Sequence, residues 1–338
     1  MHDETLDALY YCDPSVYRAE RKSVFAHNWL FFGLERDVAE PGSCFAATIA
    51  GYPLLLVRGE DRELRAFHNL CRHRAGPLAE EGASRCGTSL VCRYHGWRYA
   101  LDGRLASARD FGAAQGFDPR QYGLMPLAVA VWRGLVFVNL DCDAPPFENV
   151  VAPLERRLGD RGFERFTRAE RSQHDLKCNW KTYVENYLEG YHIPVLHPSL
   201  NASLGSAYGV EVEGNLQFYY ADAKEGAAVA GLWGWMWPCL GFNVYADGIL
   251  IERMLPVDAD NTRLEYLFLF APEADEDAVG RAVSASLVTT AEDIAMCEAV
   301  QRNLSAGIYR TGRLSPKHEH GVQWFQDRIR DALAVKAS

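Results

Sequence analysis

No apolar run in this sequence approaches the roughly 20 residues that a bilayer span requires. Its opening, MHDETLDALYYCDPSVYRAERKSVFAHNW, has neither the basic head nor the apolar stretch of an export signal. The expectation is a cytoplasmic protein with no membrane contact. Basic charge is in deficit: 35 Lys and Arg stand against 45 Asp and Glu, a net charge of −10. That argues against nucleic acid as a partner, which needs a basic footprint; ordinary solubility accounts for the charge as a whole, and an acidic surface also suits docking of a basic redox partner. Neither a GxGxxG nor a P-loop motif is present, so the chain shows no sign of binding its own dinucleotide. The nine cysteines are odd in number and follow no export signal, so a disulfide framework is not expected. Seven of them (Cys12, Cys44, Cys86, Cys142, Cys178, Cys239 and Cys297) lack ligand spacing and read as small buried apolar residues. What is present is ordinary globular composition: 338 residues, 48% apolar and 24% charged, enough for one large or two ordinary domains.

Residues 5–35 carry apolar positions at helical period and read as a helical segment. From about 43 to 140, short strand-like runs alternate with turn residues, which marks a small, mostly β unit. DCDAPPF at 141–147, with its double proline, reads as a boundary. Beyond it the pattern is mixed. Helices are expected at 151–160, 177–191, 275–306 and 321–335, and strands at 210–221, 240–256 and 262–271. The small-residue stretches 199–209 and 222–231 read as loops able to act as lids. The expected class is α+β. An N-terminal helical segment, 1–40, packs on a larger antiparallel-sheet-and-helix domain, 141–338, and a small β domain, 41–140, lies between them.

Two cysteine–histidine pairs stand out in the β unit: Cys71-x-His73 and Cys92-x-x-His95. A Cys2His2 set suits tetrahedral zinc. Each pair here offers one Cys and one His, which also permits two Cys on one iron and two His on the other iron of a 2Fe–2S cluster, the Rieske arrangement. His68, just upstream, reads as a structural strand residue.

The second constellation is VENYLEGYHIPVLHP, residues 184–198. Glu189 and His192 are i, i+3 and share a helix face. Pro194 is expected to break the helix, so that a bent segment brings His197 to the same metal. Two His and one carboxylate with open positions form the facial triad of non-haem Fe(II) oxygenases. The third ligand is either Glu189, which could instead hold the far nitrogen of a ligand, or an acid of TTAEDIAMCEAVQRNL, 289–304. On that amphipathic helix Asp293 falls on the inward side, and Glu292 and Glu298 fall toward the polar side.

Together, CRHRAG, CRYHGW and NYLEGYHIPVLHP resemble the oxygenase (alpha) subunits of Rieske-type non-haem iron oxygenases, and the wording is closest to the choline, carnitine and betaine monooxygenase branch. The resemblance runs nearly the whole chain. One departure is Arg93, where a proline is common. The resemblance implies a Rieske 2Fe–2S cluster on Cys71, His73, Cys92 and His95, and a mononuclear Fe(II) on His192, His197 and Asp293. It implies that Glu189 bridges electrons between subunits of a homotrimer. It further implies O2 activation and a separate flavin/iron–sulfur reductase or ferredoxin that draws on NAD(P)H.

LWGWMWP, 232–238, sets Trp233, Trp235 and Trp237 at alternate positions, on one side of an extended strand. Such a wall holds a quaternary ammonium by cation–π attraction or stacks an aromatic ring, and it is also what plain sheet core looks like. The Glu189 choice leans toward the quaternary ammonium substrate. The alternatives are hydroxylation or demethylation of an aromatic or alicyclic compound and, more distantly, a Rieske electron carrier without oxygenase activity.

Overall fold

The computed structural model describes residues 3–223, 232–245 and 247–334. The chain forms two compact units, Phe25–Pro145, and Met1–Val24 together with Pro146–Ser338. The boundaries therefore fall at 24/25 and 145/146, not at 40/41 and 140/141.

In the smaller unit the strands are β1 (Leu30–Leu34), β2 (Ser43–Ile49), β3 (Tyr52–Arg58), β4 (Leu64–His68), β5 (Gly82–Arg85), β6 (Ser89–Val91), β7 (Arg98–Ala100), β8 (Leu105–Ser107), β9 (Pro126–Trp132) and β10 (Leu135–Asn139). Seven of them make one sheet in the order β1-β10-β9-β4-β3-β2-β5, and β6-β7-β8 make a second. Residues 30–34, expected as helix, form a strand because they pair antiparallel with β10, Leu30 opposite Val138. All five are buried, so no alternation betrayed them. This pairing is also what carries residues 25–40 into the β unit.

The larger unit begins with two short helices, α1 (Leu9–Cys12) and α2 (Pro14–Ser23). Asp13 caps α2 and Pro14 opens it, an arrangement that wastes no backbone donor. After α3 (Phe147–Leu158) come β11 (Arg168–Leu176), α4 (Trp180–Tyr187), α5 (Ile193–Leu196) and α6 (Pro198–Ser203). The sheet continues with β12 (Leu204–Glu213), β13 (Leu216–Ala223), β14 (Leu232–Met236), β15 (Leu240–Val244), β16 (Gly248–Pro256) and β17 (Thr262–Phe270). Two helices close the chain, α7 (Glu276–Ser305) and α8 (His320–Ala334). The strands form one antiparallel sheet, β11-β17-β16-β15-β14-β13-β12. The runs expected as single strands at 210–221 and 240–256 are hairpins. Residues 199–209, expected as a loop, are α6 and the start of β12; most of the other expected lid, 224–231, lies outside the described residues.

The N-terminal segment is stitched to α4 by buried polar contacts. Lys181 Nζ meets Glu20 Oε1 at 2.6 Å, and both side chains are fully buried. Trp180 Nε1 donates to Glu20 Oε2 at 2.9 Å. Glu185, one turn on, accepts from Tyr11 Oη at 2.7 Å and from Gln326 of α8 at 3.0 Å. Among the described residues, no helix is long and apolar enough to cross a membrane.

Candidate metal centres

In the smaller unit the two donor pairs sit on two turns. The first follows β4. Asn69 accepts from the backbone N–H of Leu78 and Ala79 and donates to Ala79 O at 2.8 Å, closing the loop across its base. Inside it, Cys71 N donates to Gly76 O at 2.8 Å and Ala75 N to Cys71 O at 2.9 Å. The second turn joins β6 to β7, where Cys92 N donates to Trp97 O and Gly96 N to Cys92 O, both at 2.9 Å. Gly76 keeps the turn uncrowded, since a Cβ there would lie 3.0 Å from Cys92 Sγ and 3.3 Å from Tyr94 Cβ.

Both cysteines are buried, and the rings of His73 and His95 are 4.5 Å apart. His73 stacks on Trp97 at 5.0 Å, with the ring planes 8° apart. Its Nδ1 is buried and has no hydrogen-bond partner. An orphaned buried imidazole nitrogen costs stability unless something binds it. Among the described residues, the four donors do not converge within 4.8 Å as three or more of them would around one zinc ion. Two buried thiols and two adjacent imidazoles with an orphaned nitrogen fit a two-metal cluster. Tyr99 escaped the sequence reading. Its oxygen accepts from Arg72 N at 3.0 Å, which leaves the hydroxyl hydrogen for Cys71 Sγ at 3.1 Å. Hydrogen bonds to cluster sulfurs tune the potential. Arg93, the departure from the resembled pattern, pairs with Glu80 on the surface at 2.6 Å.

The larger unit brings His192, His197 and Asp293 together: one donor atom from each lies within 4.8 Å of the others. Pro194 does not break a helix here. α4 has already ended at Tyr187, and Pro194 sits in the first turn of α5, where its missing N–H costs nothing. Glu189 and His192 therefore share a turn rather than a helix face. The Glu189 carboxylate accepts from the backbone N–H of Tyr191 and His192 and meets His192 Nδ1 at 2.5 Å. Asp293 reaches the site from α7, where Thr290, Asp293, Cys297 and Gln301 form the buried stripe. Asp293 Oδ1 lies 2.9 Å from His197 Nε2 and 3.7 Å from His192 Nε2. Asn186 Nδ2 donates to the same oxygen at 2.8 Å.

Burial pushes the Asp293 carboxyl up, against the opposing pull of Asn186 and the two histidines. Burial pushes His192 down, but Glu189 and the charge of Asp293 outweigh it and leave the imidazole more basic than usual. Two neutral-capable imidazoles and one carboxylate suit a ferrous ion with open positions. Glu292, expected on the polar side, meets His197 Nδ1 at 2.6 Å. A fully buried Glu252 of β16 accepts from Tyr266 Oη at 2.9 Å, and Thr290 donates to that hydroxyl at 2.8 Å. Nothing in the sequence marked this network, because its three members come from three different elements, β16, β17 and α7. Burial pushes the Glu252 carboxyl up to about 8.

The three tryptophans separate. Trp235 and Trp237 are buried against Phe325 of α8, with ring centroids 5.7 and 5.6 Å away. They are core. Trp233 is half-buried and donates to Tyr245 Oη at 3.2 Å. Opposite it in the register is Asn243, which accepts from Tyr187 Oη at 3.4 Å. Tyr187 covers Gly241, where a Cβ would come within 2.7 Å of the ring.

Comparison with known proteins agrees with this reading in both units. Residues 28–118 match the Rieske 2Fe–2S domain, and residues 163–229 and 220–335 match the ring-hydroxylating alpha subunit (catalytic domain). The carnitine monooxygenase oxygenase subunit of Escherichia coli (strain K12) is 31% identical, over 96% of this chain and 92% of its own. The chloroplastic choline monooxygenase of Beta vulgaris is 28% identical, over 97% and 77%. Among solved structures, a quaternary ammonium Rieske monooxygenase, described in terms of carnitine oxidation and inter-subunit electron transfer, superposes with a TM-score of 0.87. It is 28% identical, over 97% of this chain and 95% of that one.

Proposed function

The chain belongs to the Rieske non-haem iron oxygenases, as an alpha subunit, and from that premise we propose that it is the terminal oxygenase for a small quaternary ammonium compound. The observation that carries the catalytic reading is the convergence of His192, His197 and Asp293. The substrate class is supported by the relatives, whose names specify carnitine and choline and whose solved structure is described as a quaternary ammonium monooxygenase.

Cys71, His73, Cys92 and His95 would hold the cluster, and His192, His197 and Asp293 the iron. When bound, these groups supply the electrons and the O2 activation. The chain's own residues supply orientation. Glu189 accepts the Nδ1 proton of His192 and so presents Nε2 to the metal side. Asn186 fixes one oxygen of Asp293. Trp233, opposite Asn243 in the register, is the part of the tryptophan run that remains available as a cation–π face. Electrons come from NAD(P)H through a separate flavin/iron–sulfur reductase or ferredoxin. The active assembly is a head-to-tail homotrimer, a closed ring in which His95 of one copy meets Glu189 of the next. The inter-subunit electron transfer described for the solved relative supports this arrangement.

The test is EPR of the reduced, iron-loaded protein with nitric oxide in place of O2. A high-spin iron–nitrosyl signal that shifts with carnitine, choline or betaine is expected. A shift only with aromatic compounds moves the substrate to that class. No signal in fully loaded protein removes the ligand assignment and leaves an electron carrier.

A further inference from the structure

A histidine that binds a metal through one ring nitrogen needs the other held in a fixed protonation state, and the group that accepts that proton sets the tautomer and the ring's aim. His192 has such a group in Glu189. His197 is buried, and its Nε2 faces Asp293 at 2.9 Å. Its Nδ1 faces Glu292 Oε2 at 2.6 Å, a contact nearly as short as the one between His192 and Glu189. The backbone on either side of the ring is already fixed, with His197 N donating to Ile193 O at 3.0 Å and Asn201 N to His197 O at 2.9 Å. Only rotation of the side chain is left, and the contact with Glu292 opposes it.

We infer that Glu292 is a positioning residue for the metal site: it holds His197 in the tautomer that leaves Nε2 free to bind iron. The inference rests on the ligand set proposed above. The two glutamates hold their histidines differently. Glu189 lies in the same turn as His192 and is held by that turn's own backbone. Glu292 lies 95 residues from His197 and ties α7 to the α5 turn through side chains. Its neighbour Asp293 supplies the carboxylate ligand, so adjacent residues of one rigid helix deliver a ligand and the holder of another ligand. The Glu292 side chain remains 40% exposed. By pattern alone it is indistinguishable from a solvated helix acid, which is the reading the test must exclude.

The experiment measures Fe(II) affinity by chelator competition, together with the iron–nitrosyl EPR line shape, for full-length protein carrying its cluster. Glu292→Ala is expected to weaken Fe(II) binding by about 10–100-fold and to split the nitrosyl signal into more than one species as the His197 ring loses its fixed aim. Glu292→Gln retains an acceptor for Nδ1–H and is expected to stay close to wild type. Where the Ala variant does not fold, as judged by loss of helical circular dichroism and of a cooperative unfolding transition, Glu292→Asp carries the same test. It keeps the charge but falls one methylene short of Nδ1, and a loss of about tenfold is expected. Wild-type affinity and line shape in these variants would make Glu292 a surface acid and overturn the inference. His197→Ala in the same assay separates the two claims. If it still binds iron normally, the ligand set itself is wrong.

Discussion

The two metal-binding regions are held by different means. In the smaller unit the backbone does the holding: Cys71 and Cys92 sit in tight turns closed by main-chain hydrogen bonds, and a single Asn69 side chain seals the base of one loop. In the larger unit side chains do it. Glutamates grip both histidines, an asparagine grips the aspartate, and the donors come from segments about a hundred residues apart. A site made of turns is compact in sequence. A site made of carboxylates and imidazoles is dispersed, and its surroundings titrate.

The sharpest way to break the comparison is Asp293→Ala. Losing a ligand and its charge is expected to cost turnover at least about a thousandfold. The cluster's visible spectrum should be unchanged, because none of its donors depends on α7; loss of both together would mean that the two regions are not independently built. Next comes the interior of the larger unit. Lys181→Met strands Glu20 as a buried unpaired charge, at about 3–5 kcal/mol of unfolding free energy. Adding Glu20→Gln should recover most of it in denaturant titrations. Third is pH. Burial raises Glu185 from an ordinary 4.5 to about 7, against the pull of Tyr11 and Gln326. The folded state therefore holds this proton more tightly than the unfolded state. Stability from this group is complete below the unfolded value and is lost as pH rises through the folded one. Glu185→Gln should be about 3 kcal/mol more stable than wild type at pH 8 and equal to it at pH 4. The smallest effect belongs to the backbone-built site. Gly76→Ala crowds Cys92 and is expected to cost about 1–3 kcal/mol, read as partial cluster occupancy with the iron site intact.

The same contrast governs what could be read without a structure. Cys71, His73, Cys92 and His95 were legible because their chemistry lies in two short runs. The α7 helix was legible from its helical spacing, which put Asp293 inward, although the stripe buried around it, Thr290, Asp293, Cys297 and Gln301, is mostly polar. Glu292 was not, because its partner is 95 residues away and helical spacing placed it toward the polar side. β1 was misread since a strand buried on both faces shows no period of two. The alternation of Trp233, Trp235 and Trp237 suggested a shared side, but β14 ends at Met236 and Trp237 lies beyond it. The alternation could not say that α8 covers two of them, because that is decided by a helix almost ninety residues later.

The buried pair of Glu20 and Lys181 also has a consequence in time. The partners are 161 residues apart, and between them lies the whole of the smaller unit. At ordinary synthesis rates the acid emerges about ten to thirty seconds before the cation it will be buried with. Glu20 stays in water throughout, and before the interval ends residues 25–145 are complete and free to fold. The order of synthesis thus lets the electron-carrying unit form first, and the oxygen-handling unit closes only when the last helix has left the ribosome.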